Sequence, residues 1–440
     1  MGKMVVGTRM WVGRLLGAGV LLGALAPAVA PSPALARARI PKCFGERSTI
    51  IGNDRPNLIV GTQGRDVIVG RGGDDIIRGR GGNDLICGGA GNDQMFGGGD
   101  NDKLDGGSGD DLLAGAGGDD LLAGGKGRDF AQYLGGPKPV TVDLRRGVAT
   151  GWGKDRLRAV EHIGGTSFGD VLIGTKKSSF IFGRGGDDRL SGGPGNDFLF
   201  GGPGDDAING GSGFDTVDYT LSQRGVVVSL AQDTASGEGA DALTGIENVW
   251  GSVHEDVLIG DSGDNELFGW DGDDVLNGGE GDDLLGPGAG DDKVDGGAGA
   301  DWVDFYYGKL ANFVATTPID VDLAAGTATG HGSDTLERIE NVSGTNLDDL
   351  ITGDHANNAI FGYNGDDQLW GRGGNDWLDG GPGNDFLHGG TGSDWCTNGE
   401  TFEDCESNQP PPTLRGLVGG ADERRARSAL AEWVATPATP

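Results

Sequence analysis

The sequence predicts an all-β chain, a parallel β-solenoid built in several blocks with short β linkers between them. Three observations carry that prediction. Glycine supplies 91 of the 440 residues, too many for helices or an ordinary layered core. An aspartate returns every ninth residue through long stretches, followed two places later by an apolar residue. The nine-residue unit recurs in register over four separate blocks, and fixed-period repeats of this kind mark stacked-coil folds.

From the N-terminus, Lys3, Arg9 and Arg14 precede the apolar run "LLGAGVLLGALAPAVA" and the small-residue pattern Ala34-Leu35-Ala36. This predicts a secretory signal peptide over residues 1–36. Gly and Pro interrupt the run before it could span a bilayer, and no second apolar segment follows. The mature chain is therefore expected to be extracellular and without a transmembrane segment. The four cysteines fall in pairs, which predicts Cys43–Cys87 and Cys396–Cys405 disulfides in an oxidising compartment.

After the first disulfide cap, the block within residues 37–132 starts its regular units at Gly61. They read "GTQGRDVIV", "GRGGDDIIR", "GRGGNDLIC", "GGAGNDQMF", "GGGDNDKLD", "GGSGDDLLA", "GAGGDDLLA" and "GGKGRDFAQ", preceded by a degenerate "GNDRPNLIV". Their sixth positions are Asp66, Asp75, Asp84, Asp93, Asp102, Asp111, Asp120 and Asp129. Three blocks of six units follow over residues 165–218, 251–304 and 344–397. Sixth-position aspartates there are Asp170, Asp188, Asp197, Asp206 and Asp215; Asp256, Asp274, Asp283, Asp292 and Asp301; and Asp349, Asp367, Asp376, Asp385 and Asp394. Degenerate units such as "GTKKSSFIF" and "GDHANNAIF" stand near the start of each block, as stacked repeats require at their ends.

A second repeat of 24 residues separates the blocks: "VTVDLRRGVATGWGKDRLRAVEHI" (140–163), "VVVSLAQDTASGEGADALTGIENV" (226–249) and "IDVDLAAGTATGHGSDTLERIENV" (319–342). Alternating apolar residues such as Val140, Val142 and Leu144 predict strands joined at glycine turns. Linker plus block then gives domains over 133–218, 219–304 and 305–405, the last carrying the second disulfide. Residues 406–440 read as a flexible tail with a short helix over 421–435.

Within each unit the first six residues can form a tight turn, and the last three a short strand whose middle residue faces inward. Two units make one coil of eighteen residues, and coils stack at about 4.8 Å. Asp66 then lies over Asp84 and Asp75 over Asp93. Two carboxylates about 5 Å apart repel by roughly 1 kcal/mol even in water. Hard oxygen donors at this density suit calcium, and one inward side chain per unit is too thin a core to fold without it. Pairs with aspartate in both stacked turns number six in the first block and three in each other block, which predicts about fifteen strong calcium sites. Their roughly thirty positive charges nearly balance the −36 that remains when Lys3, Arg9 and Arg14 leave the chain of net charge −33 with the signal peptide. That charge, with 53 aspartates to 14 glutamates, opposes nucleic-acid and anionic-membrane partners.

The units "GGSGDDLLA" and "GGPGNDFLH" fit the pattern GGxGxDx-aliphatic-x position by position. In this the chain resembles the hemolysin-type RTX calcium-binding repeat family over residues 52–397. The resemblance implies a right-handed parallel β-roll, with calcium held between stacked turns by the sixth-position aspartates and backbone carbonyls. It also implies a secreted protein that is disordered in low calcium and folds where calcium is millimolar. Two features depart from the family: an N-terminal signal replaces the usual C-terminal one, and no toxin, protease or lipase domain is attached.

Other motifs carry little. "GTSFG" (165–169) fits a serine-hydrolase pattern, yet it occupies the turn of a unit, so Ser167 is not expected to be a nucleophile. His162, His254, His331, His355 and His388 show no zinc spacing, and no EF-hand loop is present. Trp270, Tyr363, Trp370, Trp377 and Trp395 are expected to pack over short strands. Asn341-Val342-Ser343 fits a glycosylation sequon. The reading is a secreted, non-enzymatic calcium-binding protein, structural or adhesive at the cell exterior. The alternative is a calcium-dependent polysaccharide-binding accessory module, since the repeat-plus-linker segments resemble those of alginate-modifying epimerases. The unit "GGGDNDKLD" carries Asp100 where the fourth position is usually glycine, and its turn is expected to be the weakest of its neighbours.

Overall fold

The computed structural model describes residues 41–306 and 317–406, so the signal peptide and the tail helix lie outside the described residues. These residues form parallel β-roll built almost wholly of strands, with a 3-10 turn at Leu230–Gln232. They fall into two compact units. The N-terminal unit holds residues 41–218 and 234–246, and the C-terminal unit holds 219–233, 247–306 and 317–406.

Within the first repeat block of the N-terminal unit, strands pair in parallel with partners eighteen residues away. Val67–Gly72, Leu85–Ala90, Lys103–Ser108 and Leu121–Lys126 make one sheet, in which Ile68 pairs with Ile86 and Leu104 with Leu122. The alternate repeats make the facing sheet from Leu58–Val60, Ile76–Gly81, Gln94–Gly99, Leu112–Ala116 and Phe130–Gln132. The eighth residue of each repeat points between the sheets: Ile77, Ile86, Met95, Leu104, Leu113 and Leu122 are fully buried. Full burial of such a side chain contributes roughly 1.5–3 kcal/mol, but each repeat provides just one.

Strand length differs from the three residues expected. In the first block most strands run to six, because the first glycines of the next repeat keep pairing, as Gly107 does with Gly125. In the fourth block the strands do have three residues, among them Gln368–Trp370, Trp377–Asp379 and Phe386–His388.

The first linker is an antiparallel meander of Thr141–Asp143, Val148–Thr150 and Lys154–Arg158. Its last strand stacks on the block below, Leu121 pairing with Arg156. Its first strand carries the block above, Thr141 pairing with Val171. The facing sheet passes from Phe130–Gln132 to His162–Gly164 without insertion. At the N-terminal end the Cys43–Cys87 disulfide forms as expected, and Cys43 packs with Val67, Val69 and Leu85 on the outside of the sheet.

The C-terminal unit repeats this plan. Val257–Ile259, Val275–Glu280 and Lys293–Ala298 stack in one sheet, and Glu266–Asp271, Leu284–Ala289 and Trp302–Asp304 in the other. Its end is tied by the Cys396–Cys405 disulfide. The aromatics pack over short strands as expected, Trp302 stacking on Phe361 at 5.2 Å and Trp370 on His388 at 4.9 Å. Asn341 and Ser343 are each 1% exposed within the strand Asn341–Ser343, so the folded chain seals the sequon.

Candidate metal centre

Within each unit the sixth-position aspartates stack into ladders along the two edges of the roll. Asp84 Oδ1 accepts the Asp66 N–H at 2.7 Å, Asp102 Oδ1 the Asp84 N–H at 2.8 Å, and Asp120 Oδ1 the Asp102 N–H at 2.8 Å. On the other edge Asp93, Asp111 and Asp129 accept from Asp75, Asp93 and Asp111 at 2.8, 2.8 and 2.9 Å. The later blocks reproduce the pattern, with Asp188 on Asp170, Asp274 on Asp256 and Asp367 on Asp349. In every aspartate after Asp66 one carboxylate oxygen is thus used to join turns or linker.

The second oxygen has no such partner. In nineteen of the twenty-three aspartates, all except Asp66, Asp170, Asp256 and Asp349, Oδ2 is buried and accepts no hydrogen bond. Glycine at the first position of the turn makes this possible, since a Cβ on Gly70 would strike both Asp75 Oδ2 and the Gly88 carbonyl. The second and fourth positions take left-handed backbone, as at Gly89 (φ +124°) and Gly91 (φ +127°). Asp100 takes the same conformation at φ +71°, and its Oδ2 accepts the Gly82 N–H at 3.1 Å, so this repeat is built like its neighbours.

A buried carboxylate with an orphaned oxygen is costly unless it is neutralised or paired. Burial, assisted by the stacked aspartates and opposed by the backbone N–H bond, pushes Asp93 up to about 7 and Asp102, Asp111, Asp188, Asp274 and Asp376 to about 8. A hard cation between the turns answers this need, and the donors fit calcium. Among the described residues no three His, Cys, Asp or Glu side chains converge on one point. An ion here would be held by at most a carboxylate pair, with backbone carbonyls as the further protein donors.

Four predicted ligands differ. Asp66 Oδ2 accepts the Thr62 N–H at 2.7 Å and its hydroxyl at 3.0 Å. Asp170 is closed likewise by Thr166, Asp256 by Ser252 and Asp349 by Thr345. Oδ2 is taken in all four, and Oδ1 as well in Asp170, Asp256 and Asp349 by the Val140, Val226 and Ile319 N–H groups, because a Thr or Ser at the second position keeps an ordinary φ and turns its own N–H inward. On the other edge the first turns of the blocks carry Asn57, Ser179, Asn265 and Asn358 in place of aspartate, each accepting from its own turn at 2.8–3.1 Å.

The sequence reading missed the residues that close the ladders. Asp155 Oδ1 accepts the Asp120 N–H at 3.0 Å, Asp241 the Asp206 N–H at 3.1 Å, and Asp334 the Asp292 N–H at 3.1 Å. Glu161 and Glu340 do so for Asp129 and Asp301, and Glu400 and Glu406 for Asp385 and Asp394. The signal was present as two acids six residues apart in "DRLRAVE", "DALTGIE", "DTLERIE" and "ETFEDCE". Each stretch has a left-handed fifth residue: Ala159, Gly245, Arg338 and Asp404. The C-terminal disulfide cap is thus a fourth copy of the closing half of the linker.

Two of the lone motifs lie within the repeat scaffold. Ser167 lies in the turn that Thr166 closes. His162 is buried, accepts the Phe180 N–H at Nδ1, and burial lowers its pKa to about 3, which keeps it neutral.

Against known families, the sequence model of the RTX calcium-binding nonapeptide repeat matches residues 51–86, 60–95, 96–131, 164–199, 182–217, 250–285, 288–305, 343–378 and 361–396. Together these cover more than half of the chain. They fall on the ladder blocks and leave out almost all of the linkers. No curated protein matches the chain significantly.

Proposed function

Since the chain belongs to the RTX calcium-binding nonapeptide repeat family, we propose that it is a secreted protein whose β-roll forms on calcium uptake and serves as a structural or adhesive element at the cell exterior. The observation that carries this is the set of nineteen buried, unpartnered Oδ2 atoms spread over both units. Bound calcium supplies the positive charge that lets these carboxylates stay ionised inside the roll. The chain's own part is to align them: the first-position glycine makes room for Oδ2, and the Oδ1 bond to the preceding turn fixes its direction. Metal binding of this kind is folding free energy. The signal-like N-terminus and two disulfides favour an extracellular setting.

Far-UV circular dichroism of the mature chain, titrated with calcium and then with chelator, tests the reading. A large gain of β signal with calcium and its loss on chelation is the expected result, whereas a full β spectrum after exhaustive chelation overturns it. The stack of half-buried Trp370 on His388 and beside Phe386 favours a second reading, polysaccharide docking on the fourth block. A glycan array with and without calcium decides between the two.

A further inference from the structure

The ladders are directional. Each carboxylate uses one oxygen on the N–H of the turn before it, so the first turn of a ladder needs only something to accept its own N–H bonds, and it uses neutral Asn57, Ser179, Asn265 or Asn358 on one edge. The last aspartate is different. It retains an orphaned oxygen, as Asp129, Asp301, Asp385 and Asp394 do at no more than 1% exposure, and its block contains no further aspartate to stack on it.

Glutamates from outside the repeats stand there instead. Phe130 pairs with His162, which sets Glu161 over Asp129 as Asp129 is set over Asp111. Glu161 Oε2 accepts the Asp129 N–H at 3.1 Å, in the place of the 2.9 Å bond from the Asp111 N–H to Asp129 Oδ1. Glu340 bonds Asp301 at 2.9 Å, Glu400 bonds Asp385 at 2.7 Å, and Glu406 bonds Asp394. An asparagine or glutamine would satisfy these N–H groups equally well. On the edges that Asn57, Asn265 and Asn358 lead, acid at the closing end against a neutral residue at the leading end follows the orphaned oxygen rather than the N–H.

We propose that Glu161, Glu340, Glu400 and Glu406 are calcium ligands that complete a terminal site over the last aspartate of a ladder, so that linkers and C-terminal cap belong to the metal-binding apparatus. The proposal rests on the calcium reading above. The other edge of the first block closes without such a site: Asp155 Oδ2 accepts the Tyr133 hydroxyl at 3.0 Å, and both its oxygens are taken.

The test counts calcium by native mass spectrometry on the mature chain carrying Glu161→Gln, Glu340→Gln, both, or the exposed linker control Glu337→Gln, with circular dichroism at saturating calcium. Glutamine keeps the acceptor and removes the charge. One ion lost per substitution and two in the double variant, with the control at the wild-type count, is the expected result. Glu161→Asp, which keeps the carboxylate, retains the wild-type count. An unchanged count in the double variant, or equal losses in Glu161→Asp and Glu161→Gln, overturns the proposal; a wild type that takes up no calcium overturns the calcium reading itself.

Discussion

The turn around Asp66 and the turn around Asp111 share a length, a glycine start and an aspartate in the sixth place, yet they are two different objects. Thr62 closes the first from within, while the second leaves Oδ2 buried and open. The second residue sets them apart. With Thr62 in the second position the N–H turns toward the carboxylate; with Gly107 at φ +105° it turns away. Leading turns can therefore close without metal, and ladder turns cannot. A block of identical ladder turns would have no metal-free end on which stacking could start, and the costly first step of a solenoid is its nucleus.

Several substitutions break or sharpen this contrast. The largest effect belongs to Asp111→Asn, which removes a charge shared along the ladder. It is expected to raise the calcium midpoint of folding by tenfold or more, about 1.4 kcal/mol for each tenfold. Asp66→Asn, whose carbonyl still accepts from Thr62, is expected to shift it less than twofold, and equal shifts in calcium-titrated circular dichroism would erase the distinction. Next comes pH in calcium-free protein. Burial raises Asp93 and Asp111 to about 7 and 8 in the fold, above the ordinary carboxylate value, so the folded chain holds protons that the unfolded chain releases. Stability without metal is thus greatest below about pH 4 and is lost as pH rises through 7 to 8. Melting after exhaustive dialysis should show more residual β structure at pH 5 than at pH 9, and a flat profile would count against proton-for-metal exchange.

Thr345→Val comes third, because it deletes only the hydroxyl, which donates to Asp349 and accepts the Leu347 N–H. It should cost about 1 kcal/mol in thermal melting while leaving the calcium count unchanged; a lost ion would make Asp349 a ligand after all. The smallest effect is Asp100→Gly. Relief of left-handed strain and loss of the bond to Gly82 oppose each other at about 1 kcal/mol each, so stability should move by less than about 0.5 kcal/mol.

The eighteen-residue coil was legible because one period carries both signals: a sixth residue for the edge and an eighth for the interior. Both disulfides were legible as well, since each pair sits at one end of the repeats. The role of Thr62 was hidden because Arg71 occupies the same second position one repeat later; only φ, at +89° for Arg71, tells them apart. Longer strands in the first block were missed because paired glycines read as turn, although they continue the ladder when a neighbouring glycine segment is there to bond them. Glu161 and Glu340 were missed for a different reason. They lie inside a repeat whose apolar alternation dominates, and they become ladder residues only once His162 is seen beside Phe130 and Asn341 beside Trp302.

The two-edged coil also limits how such a chain can change length. The four runs of regular repeats, 61–132, 165–218, 251–304 and 344–397, are all whole multiples of eighteen residues. Deleting one nine-residue unit would move every downstream turn to the opposite edge, placing Glu161 at the end of the ladder that Asp66 leads and Asp155 at the end of the one that Asn57 leads. Deleting two units would leave every partner in place and merely shorten the stack. Insertions and deletions compatible with folding should therefore come in steps of eighteen codons, with odd multiples of nine filtered out as unfolded chain.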